Sequence, residues 1–175
     1  MPRCRSLLVL LFLPLLGSCS YVYELLAITI NGQVAFAVDP ASGFQPDCVH
    51  SIDVSADDGE PKAKSEPGDD KGLVENGSVY WWDFRDVRSC KNEFPIIYGD
   101  ALIGPRADGT GYVKAKPLKQ GVVYQVGTSG DGAYGSGWFK ILPNGEIENY
   151  PNDPTPADRD EDGYLIKSEP DKGAN

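Results

Sequence analysis

The chain has 175 residues, with 16 Lys and Arg against 26 Asp and Glu, a net charge of −10. No basic field exists to release counterions, which excludes nucleic acid and anionic lipid headgroups as partners and suits cationic partners or divalent ions. With 20 Gly, 14 Pro and short runs of Tyr, Val, Ile, Trp and Phe between turn signals, the chain beyond its first residues reads as all-β.

The first segment is of another kind. Arg3 and Arg5 form a positive start, Leu7 to Leu16 an apolar run, and Gly17 and Ser18 a small-residue cleavage site. That is the layout of a secretory signal peptide over residues 1–18. The run is about ten residues long, half of the ~20 that a spanning helix needs. Leu16-Gly17-Ser18-Cys19 resembles the lipobox of bacterial lipoproteins. The resemblance implies diacylation of the Cys19 thiol, cleavage before it and acylation of the new amine, with palmitate-type chains giving stable anchoring. Residues 19–21 are then a short lipidated tether. Ser20, in place of the Asp that holds such proteins at the inner membrane, implies the outer membrane facing the periplasm. The alternative is an ordinary signal and a soluble periplasmic product. With the leader gone, 14 basic residues face 26 acidic ones, a net charge of −12.

Cys4 leaves with the leader and Cys19 takes the lipid, so Cys48 and Cys90 remain as an even pair in an oxidising compartment. A Cys48–Cys90 disulfide follows. A zinc site does not, because His50 is the sole histidine.

The strands are expected in this order. Tyr23 to Ile30 and Gln33 to Asp39 flank Asn31-Gly32, a type I′ hairpin signal, with Leu26, Ile28 and Ile30 facing Val34, Phe36 and Val38. Cys48 to Val54 follows. Residues 56–72 are so poor in apolar side chains that a flexible excursion is expected. Ser78 to Phe84 carries Tyr80, Trp81, Trp82 and Phe84. By strict alternation Trp81 and Trp82 face opposite ways, so either the strand is covered on both sides or an aromatic platform for a sugar or a partner is exposed. The covered central strand is the preferred reading, and Trp81 and Trp82 are the candidate binding residues. His50 reads as a packed residue.

Phe94 to Tyr98 and Tyr112 to Lys116 are short strands. Pro117-Leu118-Lys119-Gln120-Gly121-Val122-Val123-Tyr124-Gln125-Val126 resembles the penultimate-strand segment of fibronectin type III-like and immunoglobulin-like domains. The resemblance implies a tyrosine corner at Tyr124 and a sandwich fold, and no activity. Gly127 to Gly137, with five glycines, lacks the Lys-Ser/Thr ending and helix of a phosphate loop and reads as a flexible hairpin loop. Trp138 to Leu142, Asn144-Gly145 and Glu146 to Tyr150 form a second hairpin.

From Pro151 the chain is an acidic, Pro- and Asp-rich tail expected to be flexible. Asp158, Asp160 and Asp162, then Gly163, Tyr164 and Glu169, match the EF-hand loop pattern. Three carboxylates, the Tyr164 carbonyl and a closing Glu169 are hard oxygen ligands suited to calcium. Pro151, Pro154, Pro156 and Pro170 occupy the places of the flanking helices, so calcium would be a weak ligand. No other cofactor is implied. No metalloprotease, thiol-redox, nucleophile-elbow or dinucleotide signature occurs.

The expectation is therefore a single antiparallel β-sandwich over residues 22–150, immunoglobulin-like or related, between a signal peptide and a flexible acidic tail over residues 151–175. Its expected role is that of a non-catalytic envelope lipoprotein, a membrane-anchored binding or adaptor module with an envelope protein partner. The alternatives are a carbohydrate- or calcium-dependent adhesion module, and, last, a glycan-acting enzyme with paired carboxylates.

Overall fold

A computed structural model describes residues 21–150, except 58, 60, 87 and 89. The expected signal peptide, Cys19, the acidic tail and the calcium candidates Asp158, Asp160, Asp162, Tyr164 and Glu169 lie outside the described residues. The fold is mostly β, with one short helix. Its elements are β1 (Tyr21–Ile30), β2 (Gln33–Val38), β3 (Ser51–Ala56), α1 (Lys71–Gly77), β4 (Val79–Phe84), β5 (Ile96–Ile97), β6 (Val123–Gly130), β7 (Ala133–Ile141) and β8 (Ile147–Tyr150). They form one curled mixed sheet, a half-barrel, in the order β4-β3-β6-β7-β1-β2-β5, with β8 also on β7. Among the described residues, no helix is long and apolar enough to cross a membrane.

The sheet departs from the expected antiparallel arrangement at β1. Tyr21 to Glu24 pair parallel with Ala133 to Ser136 of β7, whereas Leu25 to Ile30 pair antiparallel with β2. The strand leaves β7 at Gly137, where a Cβ would lie 2.2 Å from the Leu25 carbonyl oxygen. Beyond that point β8 takes the vacated edge, with Trp138 opposite Tyr150.

Asn31 and Gly32 both have positive φ, as the type I′ turn requires. The two-residue turn sets Ile30 opposite Gln33 and thus Ala27 opposite Phe36. Leu25 and Ala27, and not Leu26 and Ile28, share the core face with Phe36. The expected face of β1 is therefore off by one residue, because apolar side chains occur on both faces of this strand. The second hairpin turns differently from the first. Gly145 donates to the Leu142 carbonyl and has φ +86, so Pro143 and Asn144 form the turn and Gly145 the following left-handed position.

In β4, Val54 pairs with Trp81 but Ser55 pairs with Val79. Tyr80 is the extra residue of a β-bulge. Strict alternation fails there, and Tyr80 and Trp81 are both buried. Trp82 turns to the other face, against Val74, Val79 and Val113.

Aromatic rings line the inner face. Tyr80 meets Tyr124 edge-on, Tyr124 stacks on Phe139, and Phe139 meets Phe36. Tyr98 then meets both Phe36 and Trp81. Its hydroxyl donates to the Lys116 carbonyl at 2.7 Å and lies 3.3 Å from that of Tyr80. Tyr98 thereby spans from the β5 end of the sheet to the β4 end, and burial drives its pKa far above the ordinary tyrosine value. Tyr112 to Lys116 is not a regular strand. It covers the free edge of β4 by reciprocal Trp82–Val113 bonds and one from Lys116 N–H to the Tyr80 carbonyl. The Tyr124 hydroxyl accepts from the Lys119 N–H at 2.8 Å, which is the corner geometry implied at that residue.

The 56–72 segment is held down by polar contacts. Asp69 accepts from Lys114 N–H and pairs with the buried Lys116 ammonium. Asp70 caps α1 by accepting from Leu73 N–H, and Tyr80 donates to the Pro61 carbonyl. Counting apolar residues alone concealed these ties.

The glycine run 127–137 is a strand hairpin with its turn confined to Asp131-Gly132, and not a loop. Its strand glycines answer close approaches. A Cβ on Gly130 would lie 2.1 Å from the Cys48 carbonyl oxygen, and one on Gly135 would lie 2.1 Å from Tyr23 Cε2.

Candidate functional site

The Cys48–Cys90 disulfide is present, with Cα atoms 5.4 Å apart. Asp131 stands beside it, 3.5 Å from Cys48 Sγ. Both sulfurs are committed to the bridge, so this cluster offers no thiolate to a metal. His50 packs edge-on against Phe84 at 5.5 Å, the packed role expected of it. A buried ion pair joins Arg85 to Asp83 at 2.7 Å, while Asp83 also accepts from Leu102 N–H and Arg85 donates to the Gly104 carbonyl. That pair fastens the 102–104 segment to β4.

Of the two tryptophans singled out by sequence, Trp81 is 1% exposed and belongs to the core. It presents nothing to a ligand. Trp82 is half-buried on the opposite, outer face.

The register brings the outer-face residues into rows. Phe84, Ser51, Ser129, Tyr134 and Val22 are successive partners across β4, β3, β6, β7 and β1. The next row is Trp82, Asp53, Gly127, Ser136 and Glu24. The third holds Ser55, Gln125 and Trp138, ending at Tyr150 of β8. Small polar residues thus pave β3 and β6, between aromatic walls on β4 and on β7. At ~4.8 Å per strand the backbones of β4 and β7 stand about 14 Å apart, and the paved floor from Ser51 to Ser55 runs about 13 Å.

The walls are fixed. Trp82 is backed by Val74 of α1 and by Val113. Trp138 donates its indole N–H to Asp57 Oδ1 at 2.8 Å. Asp57 lies just beyond β3, two strands from Trp138, so the bond draws the indole across β6. Tyr134, 56% exposed, stands at the other end of the β7 wall. On the floor, Ser51 and Ser129 hydrogen-bond to each other.

Asp53 lies at the centre of this trough. Burial pushes its carboxyl up to about 6, and no hydrogen bond or charge among the described residues offsets that cost. Gly127 makes room for it, since a Cβ there would lie 2.5 Å from Asp53 Oδ1. The site is thus an unpaired acceptor on a hydroxyl-bearing floor between fixed aromatic rings. It can hold a molecule that combines an apolar face with O–H or N–H donors.

Asp53, Gln125, Ser136 and Trp138 were not singled out from sequence. Their signal is the alternation of small polar residues through Ser51-x-Asp53-x-Ser55 and Gln125-x-Gly127-x-Ser129. It marks a solvent face without telling which strands share it. Protein-family models, curated proteins and solved structures contain no match to this chain.

Proposed function

We propose that this chain is a non-catalytic lipoprotein of the bacterial envelope, anchored through Cys19, and that the β3/β6 trough is its binding surface. The observation that carries the reading is the unpartnered Asp53 carboxylate between the walls of Trp82 and Trp138. An isolated acid on a sheet face costs stability, and a ligand donor would offset that cost. The immunoglobulin-like kinship is supported by the Tyr124 corner alone.

The anchor fits the geometry. Strand β1 opens at Tyr21, two residues after Cys19, so an extended tether spans only about 7 Å. The end of the domain that it reaches exposes Tyr21, Val22 and Tyr134, and tyrosine is at home at a membrane–water interface. The partner is an envelope component within reach of that anchored domain.

Fractionation of cells carrying Cys19→Ala tests the anchor. The variant is expected in the soluble periplasmic fraction, and retention on membranes overturns lipid anchoring. A photo-crosslinking residue at Gln125 tests the surface. Capture of an envelope component at Gln125 but not at a control position, Gly43, supports the trough, and capture at Gly43 alone refutes it.

A further inference from the structure

We infer that the trough binds an uncharged glycan strand, with sugar rings stacked on Trp138 and their hydroxyls donating to Asp53. The inference rests on the proposed binding role of this face and names its ligand. A pyranose ring has a flat C–H face and an edge of hydroxyls. The Trp138 indole, drawn across β6 by Asp57, is a fixed platform for such a face. Asp53 supplies a carboxylate with no hydrogen-bond partner among the described residues, a stronger acceptor for hydroxyls than a neutral group. Gln125, Ser55 and the Ser51–Ser129 pair add neutral donors and acceptors along the floor.

Charge selects among glycans. The floor carries one carboxylate and no cation, Glu24 stands at its far rim, and the chain carries a net −10. An anionic polysaccharide is repelled on every count. An extended peptide fits less well. The main-chain groups of β3 and β6 are spent in their ladders on both sides, and the edge of β4 is already covered by Tyr112 to Lys116. A peptide on this face finds no strand to extend.

The test uses the full lipoprotein in a sugar-free detergent, titrated with chitotriose triacetate, cellotriose and maltotriose and followed by tryptophan fluorescence and calorimetry. At least one is expected to bind saturably at millimolar concentration or below. Asp53→Asn is expected to weaken binding about tenfold or more. Ser136→Trp, which fills the trough from the solvent side of β7, is expected to abolish binding while leaving the melting temperature unchanged. Binding that survives Ser136→Trp overturns the site. If none of the sugars binds but the Gln125 crosslink captures a protein and Ser136→Trp abolishes the capture, the glycan inference fails and the binding role of the trough stands. If neither sugar nor protein engages the trough, both fail.

Discussion

The side-chain amide of Asn149 pairs with the backbone of Ala27, accepting from its N–H at 2.7 Å and donating to its carbonyl at 2.9 Å. It acts as a rung between β8 and β1 at the place where β1 has left β7 for β2. Without it, both main-chain groups of a residue only 2% exposed lose their partner.

Asn149→Ala is therefore expected to destabilise the domain by about 1–3 kcal/mol, and to lower the melting temperature by several degrees. Asn149→Asp should be no better than Ala, because it sets a carboxylate oxygen against the Ala27 carbonyl. A calorimetric scan in which both variants melt with the wild type would show that water satisfies Ala27 and that the rung contributes nothing.

A second expectation separates glycines that fill a steric need from those that do not. At Gly135 an added Cβ meets Tyr23 Cε2 at 2.1 Å and Thr128 Oγ1 at 2.5 Å, inside a contact where the Tyr23 and Thr128 hydroxyls are themselves hydrogen-bonded. Gly135→Ala should cost about 3 kcal/mol or more, or leave no folded protein. At Gly43 an added Cβ meets nothing within 4 Å, and Gly43→Ala should stay within about 0.5 kcal/mol of wild type. Equal urea midpoints for the two variants would refute this account of the glycine run.

These residues mark what was legible in the chain. The β-rich class, the Asn31-Gly32 turn and the Cys48–Cys90 pair rest on local chemistry or on counting, and the structure bears them out. The path of β1 is not local. Its parallel pairing with β7 joins residues more than a hundred positions apart, and that pairing sets Tyr23 against Gly135 and Leu25 against Gly137. Read in isolation, the run looked like a loop. On β4, Trp81 and Trp82 do face opposite ways, as alternation requires, but the one-residue bulge at Tyr80 brings that ring to the buried side beside Trp81, and no composition rule announces it. Asp53 and Trp138 lie on different strands and meet on one face only through the β3–β6–β7 register.

The disulfide closes a separation of 42 residues, and the segments it joins are also tied by Val49 N–H to the Asn92 carbonyl and by the Asn92 amide to the Val49 carbonyl. Reduction is expected to remove about 4 kcal/mol in the chain-entropy estimate. Urea unfolding of the oxidised and reduced protein measures this. Coincident midpoints would mean that the unfolded chain gains no freedom when the bridge opens.

The Asp53 carboxyl gives a pH dependence of definite sign. Its ordinary value of 3.8 rises to about 6 in the fold because burial penalises the charged form. Below the unfolded value both states hold the proton and Asp53 has no effect on stability. Between that value and about 6 the unfolded state releases its proton first, so stability falls as pH rises, by about 2–3 kcal/mol in total. Asp53→Asn is expected to stabilise the domain at neutral pH and to lose that advantage on acidification toward pH 3.8. The residues opposite Asp53 on β4 and β6, Trp82 and Gly127, carry no charge that could reverse the sign. A ligand hydroxyl donating to the ionised carboxylate lowers its pKa again, so binding should strengthen as pH rises through about 6 and release protons in that range. Calorimetry in buffers of different ionisation enthalpy measures the release. Binding with no proton release near this pH would place the ligand elsewhere than on Asp53.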